Sequence, residues 1–67
     1  MHHTMMSRHR VEAVQAALNN SGEHIAVDGI WGPKTRAALK EFQQQHNLMA
    51  TGRLDRATIK DLPIAHS

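Results

Sequence analysis

No cysteine and no tyrosine occur in the 67 residues, and Trp31 and Phe42 are the single tryptophan and the single phenylalanine. Without cysteine there is no disulfide framework, no thiolate zinc site and no thiol nucleophile. So few aromatic rings leave a core short of bulky groups. No apolar run approaches the ~18 residues that a membrane span needs, and no secretory signal pattern stands at the start of the chain. Neither sign of charge dominates. Eight Lys+Arg against six Asp+Glu give a formal charge of +2, too weak and dispersed to argue for nucleic acid on electrostatics alone. What remains is an ordinary globular balance, 40% hydrophobic and 21% charged. At 7.5 kDa the chain holds one small domain. A domain of this size buries roughly 60% of its unfolded surface, which leaves little margin for a deep substrate cavity.

Residues 1–7, Met-His-His-Thr-Met-Met-Ser, have neither helical nor strand periodicity and read as a flexible tail or a tag remnant. The first periodic stretch runs from Arg8 to Asn19. Val11, Val14 and Leu18 recur at i, i+3 and i+7 with Ala17 alongside, the stripe of an amphipathic helix. Ser7 suits its N-cap, and Gly22 can take the positive φ that ends a helix. A second helix opens at Gly32-Pro33, where proline fits the first helical position, and places Ala38, Leu39 and Phe42 inward before ending at His46-Asn47. A third begins at the capping residue Asp55, turns Ile59 and Leu62 inward, and stops at Pro63. Leu54 and Ile59 have the spacing of a hydrophobic staple.

The two connections share a pattern. Asp28-Gly29-Ile30-Trp31-Gly32-Pro33-Lys34-Thr35 aligns with Thr51-Gly52-Arg53-Leu54-Asp55-Arg56-Ala57-Thr58. In each copy a glycine turn leads to an apolar residue, a capping position and a threonine at the third helical position. Leu39 and Leu62 also correspond. A tight turn into a capped helix is therefore used twice, which is too few copies for a solenoid. The expected architecture is all-α, a small three-helix bundle with a long loop between helices 1 and 2, occupying residues 8–64 with tails at 1–7 and 65–67. Its expected core is Val11, Val14, Leu18, Ile30, Trp31, Leu39, Phe42, Leu54, Ile59 and Leu62.

An ordered series of motifs runs through the chain: Val14-Gln15-Ala16-Ala17-Leu18-Asn19, then Val27 to Thr35, then Ala37-Ala38-Leu39 with Phe42-Gln43, then Thr51 to Asp55 with Thr58. At these spacings the sequence resembles the peptidoglycan-binding domain 1 family over Arg8 to Leu62. The resemblance implies a three-helix, PGBD-like bundle that binds bacterial cell wall without cleaving it. It also implies a place in the cell envelope, in the periplasm or the wall, often with an attached wall hydrolase. The chain departs from the family pattern between Gly22 and Val27, where Glu23-His24-Ile25-Ala26 stands in place of an aromatic pair and a Pro/Gly turn.

A glycan–peptide polymer offers hydroxyls, N-acetyl groups and carboxylates. Holding it calls for amide and guanidinium hydrogen bonds beside an apolar face. The candidates are His24, Asp28, Trp31, Lys34 and Arg36, in the long loop and the start of helix 2, with Arg53 at the echoed position of the second turn. Two roles fit Trp31, a platform for a sugar and a lid on a core poor in large residues. The second weighs more, because ~150–250 Å² of buried ring is hard to replace. Arg36, one turn into helix 2, could stack on that indole. Asp28 reads first as a turn former accepting nearby backbone N–H bonds, and Thr35 and Thr58 as helix-start residues.

Six histidines raise the question of a metal, but no pair has the His-x3-His spacing that puts two imidazoles on one helical face. His2-His3 would bind metal only adventitiously, and no metal site or cofactor is expected. Catalysis has no support either. Ser7, Ser21 and Ser67 lack a base-and-orienter pattern, and Glu23 and Asp28 lack a cleft to hold them at a defined separation. The expected function is non-enzymatic wall binding by a monomer, in which weak single contacts gain residence on a repeating polymer. The alternative is a protein-interaction or pro-segment-like module packing on a neighbouring catalytic domain. Nucleic-acid binding by the basic helix Pro33–Asn47 is set aside, because Glu41 interrupts it and no aromatic or arginine-rich reading face is present.

Overall fold

The computed structural model describes residues 7–63; of the expected tails 1–7 and 65–67 all but Ser7 lies outside them, His2-His3 included, as does residue 64 of the expected module. Three helices follow one another, α1 (Arg8–Asn20), α2 (Pro33–Gln45) and α3 (Arg56–Asp61), with no strand among the described residues. The fold is a small helical bundle, as its periodicity predicts.

Local chemistry sets each helix end. Ser7 Oγ accepts the Arg10 N–H at 3.2 Å and caps α1. At the other end Gly22, at φ +108°, lets the Gly22 and Glu23 amides return to the carbonyls of Asn19 and Leu18, each at 3.1 Å. The end of α2 uses the same closure with Asn47 in the left-handed role. At φ +59° it sends its own amide to Gln44 and that of Leu48 to Gln43, at 3.2 and 2.8 Å. α2 opens on Pro33 behind Gly32, with no side-chain cap. α3 opens on Asp55, whose Oδ1 accepts the Thr58 N–H at 2.9 Å.

Val14, Ala17 and Leu18 of α1 pack with Ala38, Leu39 and Phe42 of α2 and with Leu62 beyond α3. Ile25, Trp31, Leu48 and Leu54 close over this cluster half-buried, and Val11 is buried as expected. Fully burying a leucine or phenylalanine stabilises by about 1.5–3 kcal/mol, so the wholly buried Leu18, Leu39 and Phe42 anchor the domain.

Two residues of the expected core lie outside it. Ile30 is 65% exposed and Ile59 39%. The Ile30 backbone faces inward, with its N–H on Asp28 and its carbonyl receiving the Gln15 amide, so its side chain is turned out. In α3 the inward position belongs to Thr58, fully buried; Ile59 lies about 100° further round the helix and points away. The Leu54–Ile59 staple therefore keeps only its Leu54 half in the core.

Candidate functional site

The loops are held from within by two buried glutamines. Gln15 is 1% exposed and Gln43 is 0%. Gln15 Oε1 accepts the Gly29 N–H at 2.9 Å. Its Nε2 donates to Asp28 Oδ1, the Ile30 carbonyl and Thr35 Oγ1, at 3.1, 3.0 and 2.9 Å. Gln43 repeats the arrangement. Its Oε1 accepts the Gly52 N–H at 2.9 Å, and its Nε2 donates to Thr51 Oγ1, the Arg53 carbonyl and Thr58 Oγ1, at 3.3, 2.9 and 2.9 Å. The echo seen in the sequence is thus a repeated hydrogen-bonding device. A planar, neutral amide offers a donor and an acceptor on one end, and so satisfies a whole turn without burying a charge. Among the described residues every buried side-chain nitrogen and oxygen has a partner.

Both glycines at these corners need positive φ, +76° at Gly29 and +73° at Gly52. Within the turns Asp28 Oδ1 accepts the Ile30 N–H at 2.9 Å, and Thr51 Oγ1 accepts that of Arg53 at 3.1 Å. Hydrogen bonds from the Ile30 amide and then Gln15 hold the Asp28 carboxyl below the usual carboxylate range. Thr58, through its hydroxyl and then its amide, does the same for Asp55. Asp28 therefore has the turn role and Thr58 the helix-start role expected of them, whereas the Thr35 hydroxyl caps nothing and instead accepts from Gln15 and donates to the Ile30 carbonyl.

The remainder of the long loop is tied down by Asn19. Its side-chain amide exchanges two 2.8 Å hydrogen bonds with the backbone of Ile25, one donated and one accepted. Beside that point Glu23 faces Glu41. Burial first, and then the hydrogen bond and charge of Glu41, raise the Glu23 carboxyl above its ordinary value.

The six candidate residues do not form one site. Trp31, Arg36 and Arg53 come together around a shallow depression completed by Thr51, Gly52 and Leu54. A second depression continues from Trp31 and Arg36 along Pro33, Ala37 and Lys40. His24 and Lys34 lie elsewhere, on a surface shared with Glu23 and Glu41. Asp28 faces a third hollow with Ile30 and Lys34. The long loop, the start of α2 and the second turn, expected to share one shallow surface, are divided among these. Trp31 packs on the core with one part, as the lid role requires, and lines two depressions with another. Stacking of Arg36 on the indole is not among the ring contacts of the described residues; there Phe42 stacks on His46, centroids 4.1 Å apart.

Sequence reading missed Gln15 and Gln43 as organisers, and Lys40 as a neighbour of Arg36. A signal for Gln15 existed. It sits four residues after Val11 and three before Leu18, in the middle of the apolar stripe, where a polar side chain must find buried partners.

The family model described as “Putative peptidoglycan binding domain” matches residues 7–62. A curated relative from Synechococcus elongatus, the “Putative OxPP cycle protein OpcA”, is 49% identical over 43 residues, which are 64% of this chain and 10% of the relative. The chain thus spans about a tenth of that protein's length. No solved structure matches.

Proposed function

The chain belongs to the peptidoglycan-binding domain family, and on that premise we propose that it is a non-catalytic module holding an attached protein on the bacterial wall. The family implies peptidoglycan as partner and the cell wall or envelope as the place of action. The observation that carries the reading is the pair of adjoining depressions around Trp31, shallow and set on a turn that Gln43 holds rigid. An open hollow with one aromatic wall and cationic edges suits reversible adsorption to a chain-like polymer, with residence gained by rebinding along it. It offers no enclosed cleft for bond cleavage.

Sedimentation with purified sacculi tests the proposal. The domain should co-sediment more than a small helical protein of matched charge, and Arg53→Ala should lower retention while leaving the melting temperature near wild type. Lys34→Ala, on a different surface, should change retention less. Retention equal to the charge-matched control would refute wall binding. It would favour the interaction-module alternative, for which Val27 and Ile30 are exposed at 48% and 65%.

A further inference from the structure

Around Gly52 three cationic side chains converge. Arg36 and Lys40 stand one turn apart on α2, and Arg53 follows the glycine. A Cβ placed on Gly52 would lie 3.0 Å from Arg36 Cγ and 3.2 Å from Lys40 Cγ. The two aliphatic stems therefore rest against the turn, which limits where their charged ends can go. Arg53 is fixed at its backbone, its N–H on Thr51 and its carbonyl on Gln43. Both depressions share Trp31 and Arg36, and no carboxylate lines either of them, although Lys40 also borders the surface that carries Glu23 and Glu41. Among the described residues the ion pairs are Arg8–Glu12 and His46–Asp61, so none of the three cations is neutralised by one. The corner at Gly29 differs: the cation lying over it, Arg8, is paired with Glu12 and stands near the Asp28 carboxylate, beside an exposed Ile30.

Convergent unpaired cations beside a half-buried indole match an anion carried on a partly apolar chain. Guanidinium groups take a carboxylate through paired, charge-assisted hydrogen bonds, and the ring covers the adjoining aliphatic carbons. A neutral sugar strand would leave all three charges unused. We propose that the part of the wall polymer recognised is the carboxylate-bearing stem peptide, held between Arg36 and Arg53 against Trp31 with Lys40 alongside. This rests on the wall-binding reading above.

The test titrates the full chain with four soluble probes, following amide chemical shifts and Trp31 fluorescence. The probes are a muropeptide with free stem carboxylates, the same muropeptide with those groups converted to amides, a chito-oligosaccharide, and a glycerol-phosphate polymer. Expected are shifts centred on Gly52, Arg53 and Trp31 with the free muropeptide, and affinity about tenfold lower for the amidated one, as for losing a hydrogen bond to a charged group. Arg53→Gln should lower affinity for the free muropeptide by a similar factor. Arg10→Gln, the same change of charge on the first turn of α1, should leave it within about twofold, since Arg10 lines neither depression and an exposed charge outside the contact is screened by salt. Raising salt should weaken binding. Equal affinity for free and amidated muropeptides, or binding of the chito-oligosaccharide unaffected by Arg53→Gln, overturns the carboxylate assignment and leaves wall binding standing. Preference for the phosphate polymer overturns it in favour of another wall anion. Silence with all four probes, together with no retention on sacculi, overturns the wall-binding reading and this assignment with it.

Discussion

At Gly29 and at Gly52 a buried glutamine accepts the glycine N–H and donates to a turn residue, a carbonyl and a threonine at the start of the next helix. The plan is common to both and the surroundings differ. At the first corner the turn residue is an exposed aspartate, the glycine is half-buried and the following helix has no side-chain cap. At the second the turn residue is a threonine, the glycine and Thr58 are buried, and Asp55 caps the helix through Thr58, whose hydroxyl donates to it at 2.6 Å. Outward, the first corner shows a carboxylate, an apolar side chain and Arg8, which is paired with Glu12, and the second shows Arg36, Lys40 and Arg53, none of them in an ion pair. Folding is thus assigned to the inward hydrogen bonds, which the two corners share. Recognition falls to outward side chains, which they do not share. α3, with six residues, is too short to be stable by itself, so the second corner also keeps that helix in place.

The comparison breaks most readily at the glutamines. Gln43→Leu fills the volume but strands the Gly52 N–H, while the Arg53 carbonyl keeps the Asp55 N–H and the Thr58 hydroxyl keeps Asp55 Oδ1. At about 1–3 kcal/mol for the buried donor left without a partner, and about 0.5–1.5 kcal/mol for the bond that each of the other two loses, the loss should be about 3–4 kcal/mol. Gln15→Leu should cost less, about 2–3 kcal/mol, because water reaches the exposed Asp28 and half-buried Gly29. Urea denaturation of both variants gives the order. In Gln43→Leu hydrogen exchange should be fastest in α3 and at Gly52, with α1 protected until global unfolding. Equal losses, or a larger one for Gln15, would mean that the two corners are equally wet.

Much of this architecture was written locally. Ser7, Gly22, Pro33 and Asp55 each terminate or start a helix through their own backbone and side-chain chemistry, so residue type alone locates the three helices. Ile30 and Ile59 misled because hydrophobicity predicts burial only on average; at each place a hydrogen-bonding need took the inward position, the Ile30 backbone in one and the Thr58 hydroxyl in the other. The glutamines were hidden by spacing. Gln15 lies fourteen residues before Gly29 and Gln43 nine before Gly52, so an alignment anchored on the glycines does not bring them into register. As for the site, Trp31, Arg36 and Arg53 were legible as candidates. Their grouping was not, nor their separation from His24, Asp28 and Lys34, because both depend on how the second turn folds back beside α2.

A smaller effect separates the corners at the glycines. Alanine at either position must adopt positive φ, a cost of about 1–3 kcal/mol. At Gly29 the new Cβ would also meet Arg8, whose Cγ lies at 2.5 Å, but that side chain is 74% exposed at the start of α1 and can rotate away. Doing so forfeits an exposed pair with Glu12 that contributes at most about 1 kcal/mol. At Gly52 the Cβ would press on Arg36 and Lys40, both rooted within α2. Gly52→Ala should therefore lower retention on sacculi as well as the melting temperature, whereas Gly29→Ala should lower the melting temperature alone. Unchanged retention in Gly52→Ala would detach the three cations from the binding surface.

Acid should distinguish the corners by mechanism more than by size. Asp28 and Asp55 both have native carboxyl groups below their ordinary value of 3.8. Below neutrality the unfolded chain therefore takes up these protons first, and stability falls with pH. The contribution is complete above the ordinary carboxylate range and disappears as pH drops through the lowered native values. Glu23 runs the other way, because its native carboxyl is raised above 4.5. Its contribution is complete below that value and is lost as pH rises through the raised one, so it partly offsets the two aspartates. At the first corner protonation weakens the acceptor of the Ile30 N–H inside the turn, because a neutral carboxyl accepts less strongly than a carboxylate. At the second the internal acceptor, Thr51, cannot titrate in this range, and acid reaches the corner only through the Asp55 cap. Asp28→Asn should thus flatten the acid limb of the melting-temperature profile and make exchange at the Ile30 amide insensitive to pH beyond its intrinsic dependence. Asp55→Asn should flatten the same limb while altering exchange at Thr58. If acid opened Gly52 before Thr58 lost protection, the second corner would be failing by a route that bypasses its cap, and the division of labour between turn and cap would be wrong.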